Sequence, residues 1–377
     1  MSAGEGITDA EVMDAEAAEA GSADGEAYER GAAEPVASPP EDGTDAGMTL
    51  PELAALAERI RAEVSRAVHG QDAIVDLLLT SLFARGHCLL EGPPGTAKTL
   101  LAQSLAGALA LDFKRIQFTP DLMPGDVLGS NIFDFATSAF NLVRGPVFTD
   151  VLLIDEINRA PPKTQAALLQ VMNERKVTID GTDFRVGARD ERDEEAGTSG
   201  VFFVVATQNP IEHQGTYPLP EAQLDRFLFK LELAFPGEAE EMEILRRHAG
   251  EPLDHEARRA AIRPAAGLDA IRAGQRLVDS IRLDERILAY VLRLVRATRE
   301  DADIRHGAST RAADALCGAV RALAALDGRD YALPDDVKRL FPLAMHHRVV
   351  LGPTAEIEGR TAMDVLAQVV ARTEAPR

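Results

Sequence analysis

One stretch of this 377-residue chain, residues 92–99, has the composition of a phosphate-binding loop. Glycines in such a loop let backbone N–H groups curl around phosphate oxygens, and the helix that follows directs its positive end at them. The pattern predicts a strand before the loop, at 87–90, and a helix after it, at 99–110, which is the context this motif requires. An ordinary Gly/Pro turn is the alternative. The candidate nucleotide-binding residues are Gly92, Pro93, Pro94, Gly95, Thr96, Ala97, Lys98, Thr99 and the next residue, Leu100.

Two side chains of the loop suit ATP and Mg²⁺, which are the predicted cofactors. In loops of this kind the lysine, here Lys98, reaches the β- and γ-phosphates, and the hydroxyl of Thr99 binds the metal. Ala97 departs from the general pattern, which has glycine at this position. Alanine is the smallest substitute, so close approach of the backbone to a phosphate is compatible with it, while the full geometry of the loop is left open.

Two carboxylates end an apolar stretch at residues 151–156. Asp155 is predicted to support the magnesium shell, and Glu156 to polarise the attacking water as a general base. A buried parallel strand places both groups at the carboxyl edge of the sheet, beside the phosphates. The alternative is a strand that ends in solvated acids, but the phosphate-binding motif about 60 residues earlier favours the functional interpretation.

The remaining pattern predicts an α/β fold with a mostly parallel sheet, followed by an all-helical part. Short apolar strands are predicted at 113–118, 151–154, 201–206 and 227–233, and helices alternate with them. From Pro236 onward the pattern is helical alone, with one apolar face on residues 287–295 and another on 316–323. We therefore predict three parts: a disordered acidic tail at 1–47, an α/β nucleotide-binding core at 48–235, and a helical domain at 236–377.

The net charge of −21 is concentrated at the N-terminus. Residues 1–47 hold thirteen acidic residues and one arginine, a charge of −12, which leaves −9 on the rest of the chain. Such an acidic surface argues against general binding to nucleic acid or anionic lipid. No long apolar run and no secretory signal is visible, so we expect a cytoplasmic protein without stable membrane insertion. The tail either solubilises the chain or binds a partner.

Three further stretches, 155–165, 206–210 and 215–227, resemble the AAA+ superfamily and, within it, the MoxR family. The last stretch, which reads GTYPLPEAQLDRF, is highly specific, and the resemblance extends over roughly residues 48–370. It implies a P-loop AAA+ core with a helical lid. It also implies that Asn209 senses the γ-phosphate and orients water, as an amide can. Arg226 matches the arginine finger, which reaches the ATP site of a neighbouring subunit; a local pair with Asp225 or Glu221 is the alternative.

The same resemblance assigns two weaker positions. Arg311 stands at a predicted helix start, where a cation opposes the helix dipole unless an anion is bound, and it matches the second sensor contributed by the lid. The family often has proline at position 310, where this chain has Thr310. A solvated surface arginine is the alternative. Gly70 and Gln71 match the loop on the adenine side of the nucleotide, and this signal is weak by itself.

An insertion at residues 120–148 is predicted to form a hairpin within a helix. It resembles the insertion of the clade that contains MoxR and magnesium chelatase ATPases, where it points to the ring pore; an edge hairpin without a moving role is the alternative. The charged stretch at 187–200 is predicted to be a flexible solvated loop.

The resemblance implies an ATPase that forms a homo-hexameric ring. It further implies chaperone-like maturation, assembly or metal insertion of a client protein, with a von Willebrand factor A domain partner. Two other classes stay open. A nucleic-acid motor of the same architecture would need basic pore hairpins, and the insertion at 120–148 has Arg144 as its base against three aspartates. A scaffold that binds ATP without hydrolysing it conflicts with the presence of Lys98, Glu156 and Arg226.

Overall fold

The computed structural model describes residues 47–136, 138–187, 200–210, 215–235, 237–238, 241–242, 245–246 and 262–376. The predicted acidic tail lies outside these residues except for Gly47, and so does most of the charged stretch predicted at 187–200. Among the described residues, no helix combines the length and the apolar character needed to cross a bilayer.

The strands, in chain order, alternate with helices through the first half of the chain. They are β1 (Cys88–Glu91), β2 (Phe113–Gln117), β3 (Gly129–Asp134), β4 (Ala139–Arg144), β5 (Val151–Asp155), β6 (Lys176–Ile179), β7 (Thr182–Arg185), β8 (Phe203–Gln208), β9 (Phe229–Glu232), β10 (Ile304–His306) and β11 (Val350–Leu351).

Helices occur throughout the described residues and make up most of the second half of the chain. They are α1 (Leu50–Ala67), α2 (Asp72–Phe83), α3 (Lys98–Leu109), α4 (Pro124–Leu128), α5 (Pro162–Glu174), α6 (Glu221–Leu224), α7 (Leu268–Ser280), α8 (Glu285–Glu300), α9 (Thr310–Leu326), α10 (Pro334–Met345), α11 (Pro353–Ile357) and α12 (Ala362–Arg372). A 3₁₀ turn occupies Ile157–Arg159.

Five strands form the central sheet in the order β2-β5-β8-β1-β9. Every neighbouring pair is parallel, which confirms the predicted parallel sheet. The phosphate loop follows β1. The connections that leave β1 and its neighbour β8 run in opposite directions along the sheet, since β1 leads to β2 and β8 leads to β9. Ligands of open α/β sheets bind at such a switch point, outside the carboxyl ends of the strands. The fold therefore places the candidate loop and both carboxylates at one edge.

The inner strands of the sheet, β1, β5 and β8, are buried on both faces, as in parallel sheets generally. Every residue of β5 is buried, including Asp155. Successive residues of β1 point to opposite faces: Leu90 packs against the cluster that holds α1, α2 and α3, whereas Leu89 packs against the cluster that holds α5. The strands whose ends carry the site are therefore packed between two hydrophobic cores.

The second half packs onto the first of these cores. The predicted apolar faces of the helical part are confirmed, since Leu294 of α8 and Leu316 of α9 are fully buried together with Leu53 of α1. The expectation of helices alone after Pro236 was wrong, because β10 and β11 form a small antiparallel sheet. The predicted boundary at 235 stays a prediction, since one continuous core joins the two parts.

Candidate nucleotide site

The loop after β1 has the backbone of a phosphate cradle. Gly95 has φ +87°, a conformation that favours glycine. A Cβ on Gly92 would lie 2.5 Å from the carbonyl oxygen of Leu233, so this position also requires glycine. The hydroxyl of Thr96 donates to the Pro93 carbonyl at 3.0 Å and closes the turn. Helix α3 begins directly afterwards, at Lys98, and its N-terminus faces the loop.

Ala97 adopts the left-handed conformation, with φ 59° and ψ 23°. This explains why the general motif has glycine there. An L-residue in this conformation costs about 1–2 kcal/mol, since its Cβ crowds the following carbonyl. The sequence left open whether the loop geometry is compatible with alanine at this position. The left-handed backbone of Ala97 shows that it is.

Lys98 folds its ammonium group back onto the loop. Its Nζ donates to the carbonyls of Gly92 at 2.7 Å and Pro93 at 2.8 Å. Burial lowers the pKa of Lys98, while the nearby carboxylates of Asp155 and Glu156 favour its charged form. A cation held at the mouth of the loop suits the recognition of phosphate oxygens.

Asp155 is the most heavily hydrogen-bonded carboxylate of the site. Its Oδ1 accepts from the hydroxyls of Thr99 at 3.0 Å and Thr207 at 3.3 Å, and its Oδ2 accepts from Nε of Arg115 at 2.6 Å. The carboxylate is only 6% exposed. The Thr99 hydroxyl and the Asp155 carboxylate are adjacent hard oxygen donors, the type that Mg²⁺ prefers. The residues therefore fit the predicted metal.

Glu156 stands just after β5 in a left-handed conformation, with φ 56°. Its Oε2 accepts from Nε2 of Gln117 at 2.9 Å and from a guanidinium nitrogen of Arg159 at 3.1 Å. Its backbone N–H donates to the Thr207 hydroxyl at 3.1 Å. Strained backbone persists where the surroundings fix it, and here the contacts hold the carboxylate at the edge of the cavity.

These groups surround a cavity of about 600 Å³. Asn209, the residue after β8, is buried and lines it. Its role as the sensor of a γ-phosphate stays a prediction. Leu100 lines it as well. Sequence reasoning missed Arg115, Gln117 and Thr207. The lining residues are Pro94, Gly95, Thr96, Ala97, Lys98, Thr99, Leu100, Gln103, Arg115, Gln117, Asp155, Glu156, Thr207, Gln208 and Asn209.

Gly70 and Gln71 do not line this cavity. Gly70 has φ 73°, which explains the glycine, and Gln71 is the N-cap residue of α2. Their predicted role on the adenine side stays a prediction.

Arg226 and Arg311 line a different cavity, of about 330 Å³, which does not include the phosphate loop. The expected helix start at Arg311 is confirmed: Ser309 caps α9 by accepting from the N–H of Ala312. The Arg311 guanidinium donates to the side chain of Asn173. The predicted role of Arg311 as the second sensor stays a prediction.

This second cavity is strongly cationic. Nε of Arg226 is buried and has no hydrogen-bond partner among the described residues. The neighbouring Asp225, one of its predicted local partners, accepts instead from Arg348 at 2.7 Å. The charged residues that line the cavity are Arg85, Arg175, Asp225, Arg226, Arg311, Asp314, Arg321 and Arg348.

The predicted hairpin is confirmed as the antiparallel pair of β3 and β4, which follows the short helix α4. Its side chains are unusually apolar for an exposed element. Phe135 is 88% exposed and Phe140 70% exposed, and Phe133 contacts both rings edge to face. Its position in a ring pore stays a prediction.

Comparison with known proteins supports the fold and identifies the family. Residues 87–229 match the model of the ATPase family associated with various cellular activities (AAA), and residues 296–369 match that of the AAA lid domain. The chain is 40% identical to Chaperone MoxR1 of Mycobacterium tuberculosis, over 83% of this chain and 81% of that protein. It is 31% identical to Protein MoxR of Methylorubrum extorquens, over 84% and 94%. A solved structure of a candidate ATPase from Cytophaga hutchinsonii superposes with a TM-score of 0.76 at 35% identity, and covers 87% of this chain and 97% of that one. The chain belongs to the MoxR family of AAA+ ATPases.

Proposed function

We propose that this chain hydrolyses Mg-ATP at the interfaces between subunits of a homo-hexameric ring, and that the cycle drives chaperone-like remodelling of a client protein. One observation carries the ring: the groups of a complete hydrolytic site are divided between two cavities. Lys98, Glu156 and Asn209 line the first, whereas Arg226 and Arg311 line the second.

Phosphoryl transfer needs positive charge near the γ-phosphate. Arg115 also lines the first cavity, but it is engaged by Asp155 at 2.6 Å. A neighbouring subunit that presents its second cavity to the first would add Arg226 and Arg311. This contact joins two different surfaces, so it is heterologous and closes into a ring when the rotation allows. We propose six subunits because the resemblance to the family implies a hexamer.

The proposed chemistry assigns one task to each residue. Lys98 binds the β- and γ-phosphate oxygens, and Asn209 orients the attacking water. Glu156 accepts a proton from that water as its oxygen bonds to the γ-phosphorus. The bond from this phosphorus to the bridging oxygen breaks, which yields ADP and inorganic phosphate. Mg²⁺ bound through Thr99 and Asp155 would neutralise phosphate charge.

The client role rests on the family and on the hairpin. A relative with 40% identity is named as a chaperone. The exposed rings of Phe133, Phe135 and Phe140 offer an apolar contact of the kind that marks interaction sites. We further propose a von Willebrand factor A domain partner, and maturation, assembly or metal insertion as the outcome, because the family implies them.

A nucleic-acid motor is less compatible with the described part of the insertion. Arg144 is accompanied there by Asp121, Asp126 and Asp134, and phosphate backbones are bound by clustered lysines and arginines. A non-hydrolysing scaffold is the other alternative, and the phosphate-release measurement separates it from an ATPase.

The experiment combines assembly with turnover. Wild type, Lys98→Ala and Arg226→Ala are sized by mass with and without Mg-ATP while phosphate release is followed. Arg296→Ala is the matched control, since Arg296 is 64% exposed and pairs only with the exposed Glu300 among the ion pairs of the described residues. We expect wild type and control to assemble and hydrolyse, Lys98→Ala to lose ATP binding, and Arg226→Ala to bind ATP without hydrolysing it. Full hydrolysis by Arg226→Ala contradicts the shared site, and a silent monomeric wild type favours the scaffold.

A further inference from the structure

Three consecutive residues after helix α10 contact the edge of the central sheet. We call His346, His347 and Arg348 the lid clamp. Nε2 of His346 donates to the carbonyl of Lys230 at 2.8 Å, and Nε2 of His347 donates to the carbonyl of Phe227 at 3.0 Å. Strand β9 lies at one end of the sheet order, so one side of its backbone has no partner strand. The lid clamp hydrogen-bonds to this end strand through Lys230 and to the turn before it through Phe227.

Arg348 makes the most extensive contacts of the three. Its Nε donates to the carboxylate of Asp225 at 2.7 Å. One terminal nitrogen donates to the carbonyls of Asp225 at 3.0 Å and Phe227 at 2.8 Å, and the other to that of Leu228 at 3.2 Å and to that of Ala344. The planar guanidinium thus engages the residues on both sides of Arg226.

These contacts are buried. The side chain of Arg348 is 3% exposed, and that of Asp225 is 23% exposed. Burial of a guanidinium costs free energy unless its donors are satisfied, and a fixed fork of donors holds its acceptors in one geometry. The segment held here is a single turn, since α6 ends at Leu224 and β9 begins at Phe229. Arg348 therefore links the helical part of the chain to the turn that carries Arg226.

We propose that Arg348 is a positioning residue that fixes Arg226 for the ATP site of the neighbouring subunit, and so couples the lid of one subunit to hydrolysis in the next. The inference rests on the proposed ring. Arg348 does not line the phosphate-loop cavity of its own chain, so its loss should leave that site intact.

The test uses Arg348→Met and Arg348→Lys. Both are expected to bind ATP with wild-type affinity and to release phosphate at least about 10-fold more slowly, with kcat lowered and KM little changed. Lysine does not rescue the rate, because it keeps the charge but lacks the fork. Asp225→Asn, which preserves shape and weakens one contact, is expected to lower kcat by a smaller factor. It serves as the test if neither Arg348 variant folds.

Mixing separates positioning from damage to the chain's own site. Arg348→Met is combined with Glu156→Gln, which has an intact arginine finger but no general base, before Mg-ATP is added. Arg348→Met subunits then receive a competent Arg226 from some neighbours, and phosphate release recovers. A folded Arg348→Met that hydrolyses at the wild-type rate alone, or that fails to recover in the mixture, overturns the inference. The parallel mixture of Arg226→Ala with Glu156→Gln tests the ring itself. If phosphate release does not recover in this mixture, the proposed function is contradicted. If phosphate release recovers in this mixture but not in the mixture with Arg348→Met, only the role of Arg348 is contradicted.

Discussion

Arg115 balances the charge of the buried Asp155 carboxylate, and this leads to a prediction about the stability of the protein with and without nucleotide. The change is Arg115→Met, which keeps an unbranched apolar stem and removes the guanidinium. Its Nε donates to Oδ2 of Asp155 at 2.6 Å. The variant leaves this carboxylate with the hydroxyls of Thr99 and Thr207 as its other side-chain donors.

The expected magnitude follows from exposure. A hydrogen bond to a charged group contributes about 1.5–3 kcal/mol. The Asp155 side chain is 6% exposed but that of Arg115 is 48% exposed. Solvent screening on the arginine side reduces the contribution to about 1–2 kcal/mol. In a chain of this length that loss lowers Tm by roughly 2 °C.

Thermal unfolding with and without Mg-ATP is the assay. A divalent cation bound at Asp155 supplies the positive charge that Arg115 otherwise supplies, so the Tm difference between variant and wild type should shrink when Mg-ATP is present. Lys114→Met is the matched control, since Lys114 is adjacent on β2 and points to the opposite face. An equal Tm loss in both conditions, or none without nucleotide, refutes this interpretation of Arg115.

Three other predictions address single residues of the core. Glu156→Gln should bind Mg-ATP but release phosphate about 10²–10⁴-fold more slowly, because it removes the proposed general base; an unchanged steady-state rate contradicts that role. Ala97→Gly should change Tm by less than about 1 °C, because relief of the positive φ offsets the extra entropy of the unfolded chain, whereas Ala97→Val should lower Tm by several degrees. Burial lowers the pKa of His87 to about 3 from its ordinary value of 6.5, so the unfolded chain binds the additional proton and stability falls as pH drops from 6.5 towards 3. By pH 5 the loss is about 2 kcal/mol, so the Tm advantage of wild type over His87→Asn should be smaller at pH 5 than at pH 7; a constant advantage contradicts the shift.

Much of the core could be predicted from local pattern. The glycine-rich loop and the acidic strand end are contiguous in sequence, and hydrophobic strands buried on both faces leave a clear signal. The predicted strand at 201–206 is displaced: β8 begins at Phe203 and ends at Gln208. Both Val201 and Phe202 are buried, so their apolar character does not mark the first paired residue.

The partners of the acidic groups could not be predicted, because they depend on pairing between distant strands. Gln117 lies opposite Asp155 in the register of β2 and β5, and Arg115 lies on the same strand two residues earlier. Thr207 reaches Asp155 from β8. No short-range pattern sets such a register.

The location of Arg311 could not be predicted for a related reason. Its helix start has a local signature, but the cavity it lines depends on how the helical part packs against the sheet. The clamp of Arg348 on the turn around Arg226 is part of that packing, and its residues are more than a hundred positions apart in sequence.

The most direct test of the shared site is subunit mixing. Arg226→Ala and Glu156→Gln are each purified, mixed in equal amounts before Mg-ATP is added, and followed by phosphate release. Each alone should be nearly silent, since one lacks the finger and the other the base. In random rings about one quarter of the sites combine an intact base with a neighbour's intact finger, so the mixture should recover about one quarter of the wild-type rate per subunit. A mixture that stays as silent as its components while assembling normally contradicts hydrolysis at a site shared between subunits.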